Sequence, residues 1–223
     1  MSLYCPYIRN VDGKDLGAFN RMSEDDVSKL LSKSKITNCS TDPIPTKLVK
    51  DHKDVLLPLL THIINTSLSS GIFPDEWKCA LVVPLLKKRG LDLELKNYRP
   101  VSNLQYLSKL TERALVNQLC RQMEQGFPLP ELQSAYRTGH STETALVKVQ
   151  SDILMSMDKQ LVTQLVRIDL SAAFNTVDHT ILLDIMNKVF GVSDMALQWT
   201  HSYLRPRSQR VIIEHAMSEK FIL

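Results

Sequence analysis

From Leu161 onward the apolar residues of this chain stop recurring at the helical interval and begin to alternate. Val166, Ile168 and Leu170 fall on one side of an extended segment, Arg167 and Asp169 on the other. That period of two predicts a β-strand, because successive side chains of a strand point to opposite faces. The change follows a long stretch of helical spacing and is followed by more of it. The expected order is helices, a strand, helices, a strand, helices and a strand, an α+β domain rather than a regular β-α-β array.

The helical stretches carry their own punctuation. Ser23 followed by Asp26 is a capping-box pattern, with Val27, Leu30 and Leu31 at helical spacing, so a helix is predicted from there to near Lys35. Pro45 disfavours helix at Ile44, so 41–45 should be extended or turning. Leu56, Leu59, Leu60, Ile63, Ile64 and Leu68 make one apolar stripe, stopped by Gly71 and Pro74. Ala80 to Val83 reads as a short strand ending at Pro84, before the basic run Lys87-Lys88-Arg89. After Pro100 a helix should turn Leu107, Leu110, Ala114, Leu115, Leu119 and Met123 inward. Ser141 caps another, with Ala145, Val149, Ile153 and Met157 on its buried face. Two further helices fit Asp178–Phe190, closed by Gly191, and Ser193–Leu204. Gln209–Glu214 is strand-like, with β-branched Val211, Ile212 and Ile213.

Composition narrows the class without naming a function. With 43% hydrophobic and 23% charged residues, the 223-residue chain can build a real core. Its net charge of +3 is small, but eight basic residues against three acidic ones lie between Lys78 and Arg113. Such a patch suits a polyanionic partner, and a solvated surface loop is the plainer reading. Cys5, Cys39, Cys79 and Cys120 form no C-x-x-C pair, so reduced thiols are expected rather than a zinc site or disulfides. No apolar run approaches the ~18–20 residues that span a bilayer. The N-terminus lacks a signal-peptide pattern. The expectation is an intracellular chain, nuclear or cytoplasmic, with no membrane partner.

The chemistry-bearing stretch is Ile168 to Phe174. An aspartate ends an apolar strand, small residues follow, and then a bulky aromatic. Small side chains let the backbone approach a ligand closely. A carboxylate at a strand end can reach a hard cation such as Mg²⁺, which prefers oxygen ligands. An aspartate that merely opens a turn would look the same.

Longer stretches carry more information. Asp169-Leu170-Ser171-Ala172-Ala173-Phe174-Asn175-Thr176-Val177-Asp178-His179 resembles the first carboxylate motif of reverse transcriptases from LINE-type, jockey-like non-LTR retrotransposons. Residues 41–47, 96–104, 133–143 and 199–211 resemble further stretches of the same family in the same order, so the resemblance runs from about Ser23 to Leu223. It implies a right-hand polymerase fold: an N-terminal extension over 1–22, a fingers-like region over 23–160, and a partial palm over 161–223. It implies RNA-directed DNA synthesis on an RNA template and DNA primer, with dNTP as substrate and two Mg²⁺ ions.

On that resemblance Asp169 is the first metal-binding carboxylate, and the Leu170 carbonyl adds a ligand. The Ala172 and Ala173 backbone sits against the triphosphate, and Phe174 lies under the sugar and excludes a 2′-hydroxyl. Lys87 or Lys88 and Arg99 match positions where the family places cations on the triphosphate, a lysine for charge and a guanidinium for bidentate contact. Arg137 and His140 are placed toward template. Two departures stand out. Asn175 replaces the family's usual aspartate, and Arg167 replaces an apolar residue and could pair with Asp169. The Pro-Gln-Gly-Ser stretch and the Asp-Asp hairpin of the later palm are not among these residues, and Asp25-Asp26 reads as a helix-start pattern. The expectations are a truncated domain, inactive alone, with an unpaired sheet edge at Gln209–Glu214 that favours self-association. The competing readings are a non-catalytic RNA- or DNA-binding module and a mobile-element relic.

Overall fold

A computed structural model describes residues 15–37, 39–126, 130–170 and 173–223, without the side chains of 124–126. Seven helices and five strands are assigned among them: α1 Glu24–Lys33, α2 Thr46–Asp51, α3 Lys53–Ser70, β1 Cys79–Leu86, β2 Tyr98–Asn103, α4 Tyr106–Gly126, α5 Thr142–Asp158, α6 His179–Lys188, α7 Asp194–Leu204, β3 Ser208–Ile213, β4 Ala216–Met217 and β5 Phe221–Ile222. The expected mixture of helix and sheet is present.

The local signals act as read. Ser23 and Asp26 form a reciprocal capping box at α1, and Gly71 ends α3 with φ 67°, a left-handed conformation open to glycine at no steric cost. α3 packs between α1 and α7. Leu60, Ile64 and Leu68 bury against Val27, Leu31, Phe73, Leu110, Ala114 and Trp199. Trp199 is the keystone of this core. Its ring meets Phe19 and Phe73 edge-on at 5.9 and 5.2 Å and stacks on Tyr203 at 5.5 Å, while its Nε1 donates to Ser67 Oγ at 3.0 Å. From Asp15 on, the N-terminal extension belongs to the same core. Leu16 bridges to Val192, Phe19 is buried, and Asn65 exchanges two hydrogen bonds with the Met22 backbone.

The sheet runs β2-β1-β3-β4, with β5 also on β3; β1 and β2 are antiparallel, β1 and β3 parallel. β1 does not end at Pro84 as the sequence suggested but continues to Leu86. The register explains why. Lys87 donates its N–H to the Asn97 carbonyl at 2.8 Å, so by alternation Pro84 and Pro100 face each other in a non-hydrogen-bonded pair. There each missing N–H would point away from the hairpin, and neither ring costs it a bond. On the other side Pro84 has no N–H to offer β3, and the β1–β3 pairing stops at Val82. The β1–β2 hairpin therefore projects past the rest of the sheet.

Three expectations are corrected here. First, the strand predicted at Val166, Ile168 and Leu170 is absent: residues 161–170 carry no secondary structure and are exposed. Alternation prepares a strand, but only a neighbouring strand can take up its backbone groups. Second, α5 is a helix with the predicted Ser141 cap, yet none of its residues is buried; Val149 and Met157 are 37% and 61% exposed. Third, the edge at Gln209–Glu214 is not open. Its strand, β3, pairs with β1 on one side and with β4 and β5 on the other.

Candidate functional site

The basic stretch between Lys78 and Arg113 does not form one surface. Lys78 is buried, with Nζ 2.8 Å from Asp75 Oδ1, and Lys109 donates to Asn103 Oδ1 at 2.6 Å. A buried lysine needs such a partner, so Lys78 is structural, and half-buried Lys109 is tied to the end of β2 by its bond. Arg113 lies on α4. What remains is the projecting hairpin, with Lys87, Lys88, Arg89, Lys96 and Arg99 all exposed.

Within the hairpin the register sets the side chains. Leu85 pairs with Arg99 and Val83 with Val101, and Lys87 follows Leu85 by two residues. Opposed residues share a face, and so do residues two apart, so Lys87 and Arg99 are diagonal neighbours on one face. That face is half open, with Val83, Leu85 and Val101 36%, 51% and 42% exposed. Lys87 Nζ donates to the Lys96 carbonyl at 2.6 Å, and Lys96 pairs with Glu94, also at 2.6 Å. Lys88, Arg89 and Arg99 enter no ion pair among the described residues. Of the two lysines, Lys87 is held beside Arg99 by the pairing, while Lys88 lies in the turn beyond it.

The carboxylate segment is open to solvent. Asp169 and Leu170 lie in the exposed 161–170 stretch, and no ion pair joins Arg167 to Asp169 among the described residues. Ser171 and Ala172 lie outside the described residues. Ala173 opens a single 3-10 turn to Thr176, and Phe174 stands 80% exposed on it. Asn175 is exposed beside it. Asp178 serves α6: Oδ1 accepts from Ile181 N at 3.2 Å and Thr180 N at 2.7 Å, and these bonds hold its carboxyl below the ordinary range.

Two other stretches of the resemblance make local hydrogen bonds. Asp42 Oδ1 accepts from Tyr106 N at 2.7 Å, and Gln105 Nε2 donates to the Thr41 carbonyl at 2.9 Å, so the 41–47 motif holds the start of α4. Sequence reading missed this, although a lone aspartate in a proline-bounded turn is the residue type that caps backbone N–H groups. Arg137 Nη1 donates to the Pro130 and Glu131 carbonyls at 3.3 and 3.1 Å, and His140 Nδ1 lies 3.1 Å from the Thr138 carbonyl. Both side chains engage their own loop.

Magnesium takes six oxygens in near-octahedral array. Among the described residues no three His, Cys, Asp or Glu side chains gather closely enough to hold a metal ion. The described residues by themselves do not fit the ion.

The family model for reverse transcriptase (RNA-dependent DNA polymerase) matches residues 86–222, from the end of β1 through β5. The chain belongs to the reverse transcriptase family. Relatives from Drosophila melanogaster include the probable RNA-directed DNA polymerase from transposon BS, 32% identical over 71% of this chain, and that from the mobile element jockey, 27% identical over 74%. The probable polymerase from transposon X-element is 30% identical over 54%. The chain spans 17%, 18% and 13% of their respective lengths. No helix among the described residues is long and apolar enough to cross a membrane.

Proposed function

We propose that this chain is the nucleotide-facing part of an RNA-directed DNA polymerase: fingers over 23–160 and the opening of the palm over 161–223, working on an RNA template, a DNA primer and dNTP. The supporting observation is the β1–β2 register, which sets Lys87 and Arg99 together on an exposed face within the segment matched by the reverse transcriptase model. A lysine and a guanidinium side by side suit a triphosphate, one neutralising charge and the other making paired hydrogen bonds. Asp169 is the chain's contribution to a metal-binding set completed by other residues. The backbone at Ala172 and Ala173 faces the phosphates, and Phe174 meets the sugar. Its exposure leaves the ring free to do so. With one such carboxylate, these 223 residues do not complete nucleotidyl transfer by themselves.

The test has two arms. The chain alone, given template–primer, dNTP and Mg²⁺, should incorporate nothing above background. Grafted in place of the corresponding segment of a related active polymerase, it should support primer extension. In the graft Asp169→Asn should abolish extension, and Phe174→Val should raise ribonucleotide use relative to deoxynucleotide use by steric relief. An active graft indifferent to Asp169→Asn would defeat the assignment.

A non-catalytic nucleic-acid-binding module is the second reading, favoured by the exposed hairpin cations and the solitary Asp169. Replacing Lys87, Lys88 and Arg99 with alanine should then flatten the salt dependence of oligonucleotide binding.

A further inference from the structure

A second basic surface lies away from the hairpin. Between α1 and α4 runs a groove of about 650 Å³ lined by five cationic residues: Arg21 from the segment before α1, Lys29 and Lys33 from α1, Arg113 and Arg121 from α4. One carboxylate, Asp26, lines the groove with them, and it is engaged at the Ser23 cap. Asp25 pairs with Lys29 at 3.4 Å, with both groups largely exposed, so that pair holds Lys29 only weakly. The other four cations enter no ion pair among the described residues. We propose that this groove binds the phosphodiester backbone of a single nucleic-acid strand, independently of the triphosphate contacts assigned to Lys87 and Arg99.

The helical geometry supports a strand rather than a point anion. Lys29 and Lys33 are four residues apart on α1, and Arg113, Asn117 and Arg121 follow the same interval on α4, so each helix presents its cations as a row. At 1.5 Å per residue, Arg113 and Arg121 stand about 12 Å apart along the axis. That is roughly the axial rise of three nucleotides of one strand in a duplex, at ~3.4 Å each. A single phosphate would engage one end of such a row.

The floor and form of the groove point the same way. Met22, Leu30, Ala114 and Val116 form its apolar bottom, and Val116 is 51% exposed. The Gln118 amide is already bonded to the Asn20 backbone, at 2.7 Å as acceptor and 3.1 Å as donor, so it shapes the wall. A concave channel with cations on both walls fits a chain-like polyanion, whereas a lipid surface is flat and meets protruding cations. Contacts to phosphate carry no sequence information, so RNA and DNA strands should both be accepted.

The test uses the 223-residue chain, labelled mixed-sequence oligonucleotides of about a dozen nucleotides as RNA and as DNA, and vesicles of phosphatidylserine with phosphatidylcholine as the rival polyanion. Changing Lys29, Lys33, Arg113 and Arg121 together to glutamine should weaken oligonucleotide binding at least about tenfold near 0.1 M salt. It should also lower the log–log salt slope by roughly 0.7 for each phosphate contact removed. Arg113→Lys with Arg121→Lys, which keeps the charge, should preserve the slope. Should the fourfold variant fail to fold by near-UV circular dichroism, Arg113→Gln with Arg121→Gln carries the test, with about half the slope change. The alanine triple at Lys87, Lys88 and Arg99 should leave the groove-dependent share intact, which separates this site from the hairpin. An unchanged slope in the glutamine variants, or vesicle binding lost in them while oligonucleotide binding persists, would overturn the proposal.

Discussion

α3 and α5 are helices of similar length and both carry apolar stripes, yet α3 buries Leu60, Ile64 and Leu68 of its stripe, with Leu59 left 55% exposed, while nothing in α5 is buried. α3 meets α1 on one side and α7 on the other, with Trp199 and Phe73 filling the space between. Among the described residues α5 has no comparable neighbour, and Leu146, Val147 and Met157 stay more than 60% exposed. The contrast continues into 161–170, where Val162, Val166, Ile168 and Leu170 are each more than two-thirds exposed. An apolar stripe is half of an interface. The side chains that would complete it decide whether its hydrophobic area leaves water.

The largest test of this comparison is a pair of truncations. Trp199→Ala removes a ring packed against three aromatics and should cost about 3–5 kcal/mol in urea unfolding. Val166→Ala should stay within about 0.5 kcal/mol of the parent, because its side chain is 68% exposed. Comparable losses at the two positions would mean that 161–170 is packed in solution.

Next comes surface behaviour. Serine at Val162, Val166 and Ile168 together should reduce hydrophobic-dye binding without moving the melting temperature, and more than serine at the half-exposed Ile213 and Phe221. Dye binding that falls instead on changing Ile213 and Phe221 would move the open apolar surface back to the sheet.

Acidity sharpens the packed side of the comparison. Burial raises the Glu112 carboxyl above its ordinary value, opposed by a hydrogen bond with Tyr203 and by the Arg207 and Lys109 charges. A carboxyl with a raised folded pKa holds its proton more tightly in the folded state. Its contribution therefore grows as pH falls through the folded value toward the unfolded one, 4.5, and is lost as pH rises. Glu112→Gln should flatten that part of the stability–pH profile, measured by urea unfolding from neutral pH to about pH 4. Tyr203, pushed up to about 12 first by burial and then by the Glu112 charge, gives a second loss of stability as pH rises from its ordinary 10. An unchanged acid limb in Glu112→Gln would place that carboxyl in water.

The smallest effect separates two caps of the same chemistry. Ser23→Ala breaks the capping box of a core helix and should cost about 1 kcal/mol globally. Ser141→Ala breaks the equivalent box on α5 and should reduce hydrogen-exchange protection within α5 while leaving global unfolding in place. A global loss from Ser141→Ala would tie α5 to the core.

The sequence by itself determined what one or two turns of chain can decide. The caps at Ser23, Ser141 and Asp178, the left-handed stops at Gly71 and Gly191, and the β3 run are present as their residue types require. The family was legible for a different reason: its motifs are contiguous strings, as in 169–179. Tertiary structure decided everything that depended on a distant partner. It buried Lys78, sent Pro84 into a strand by facing it with Pro100, and set Asp42 under the start of α4. It left the Asp169 segment exposed and without secondary structure, and it brought α1 and α4 together so that cations about ninety residues apart line one groove. Backbone propensity and capping act within hydrogen-bonding reach along the chain, whereas burial and shared surfaces require two segments to meet.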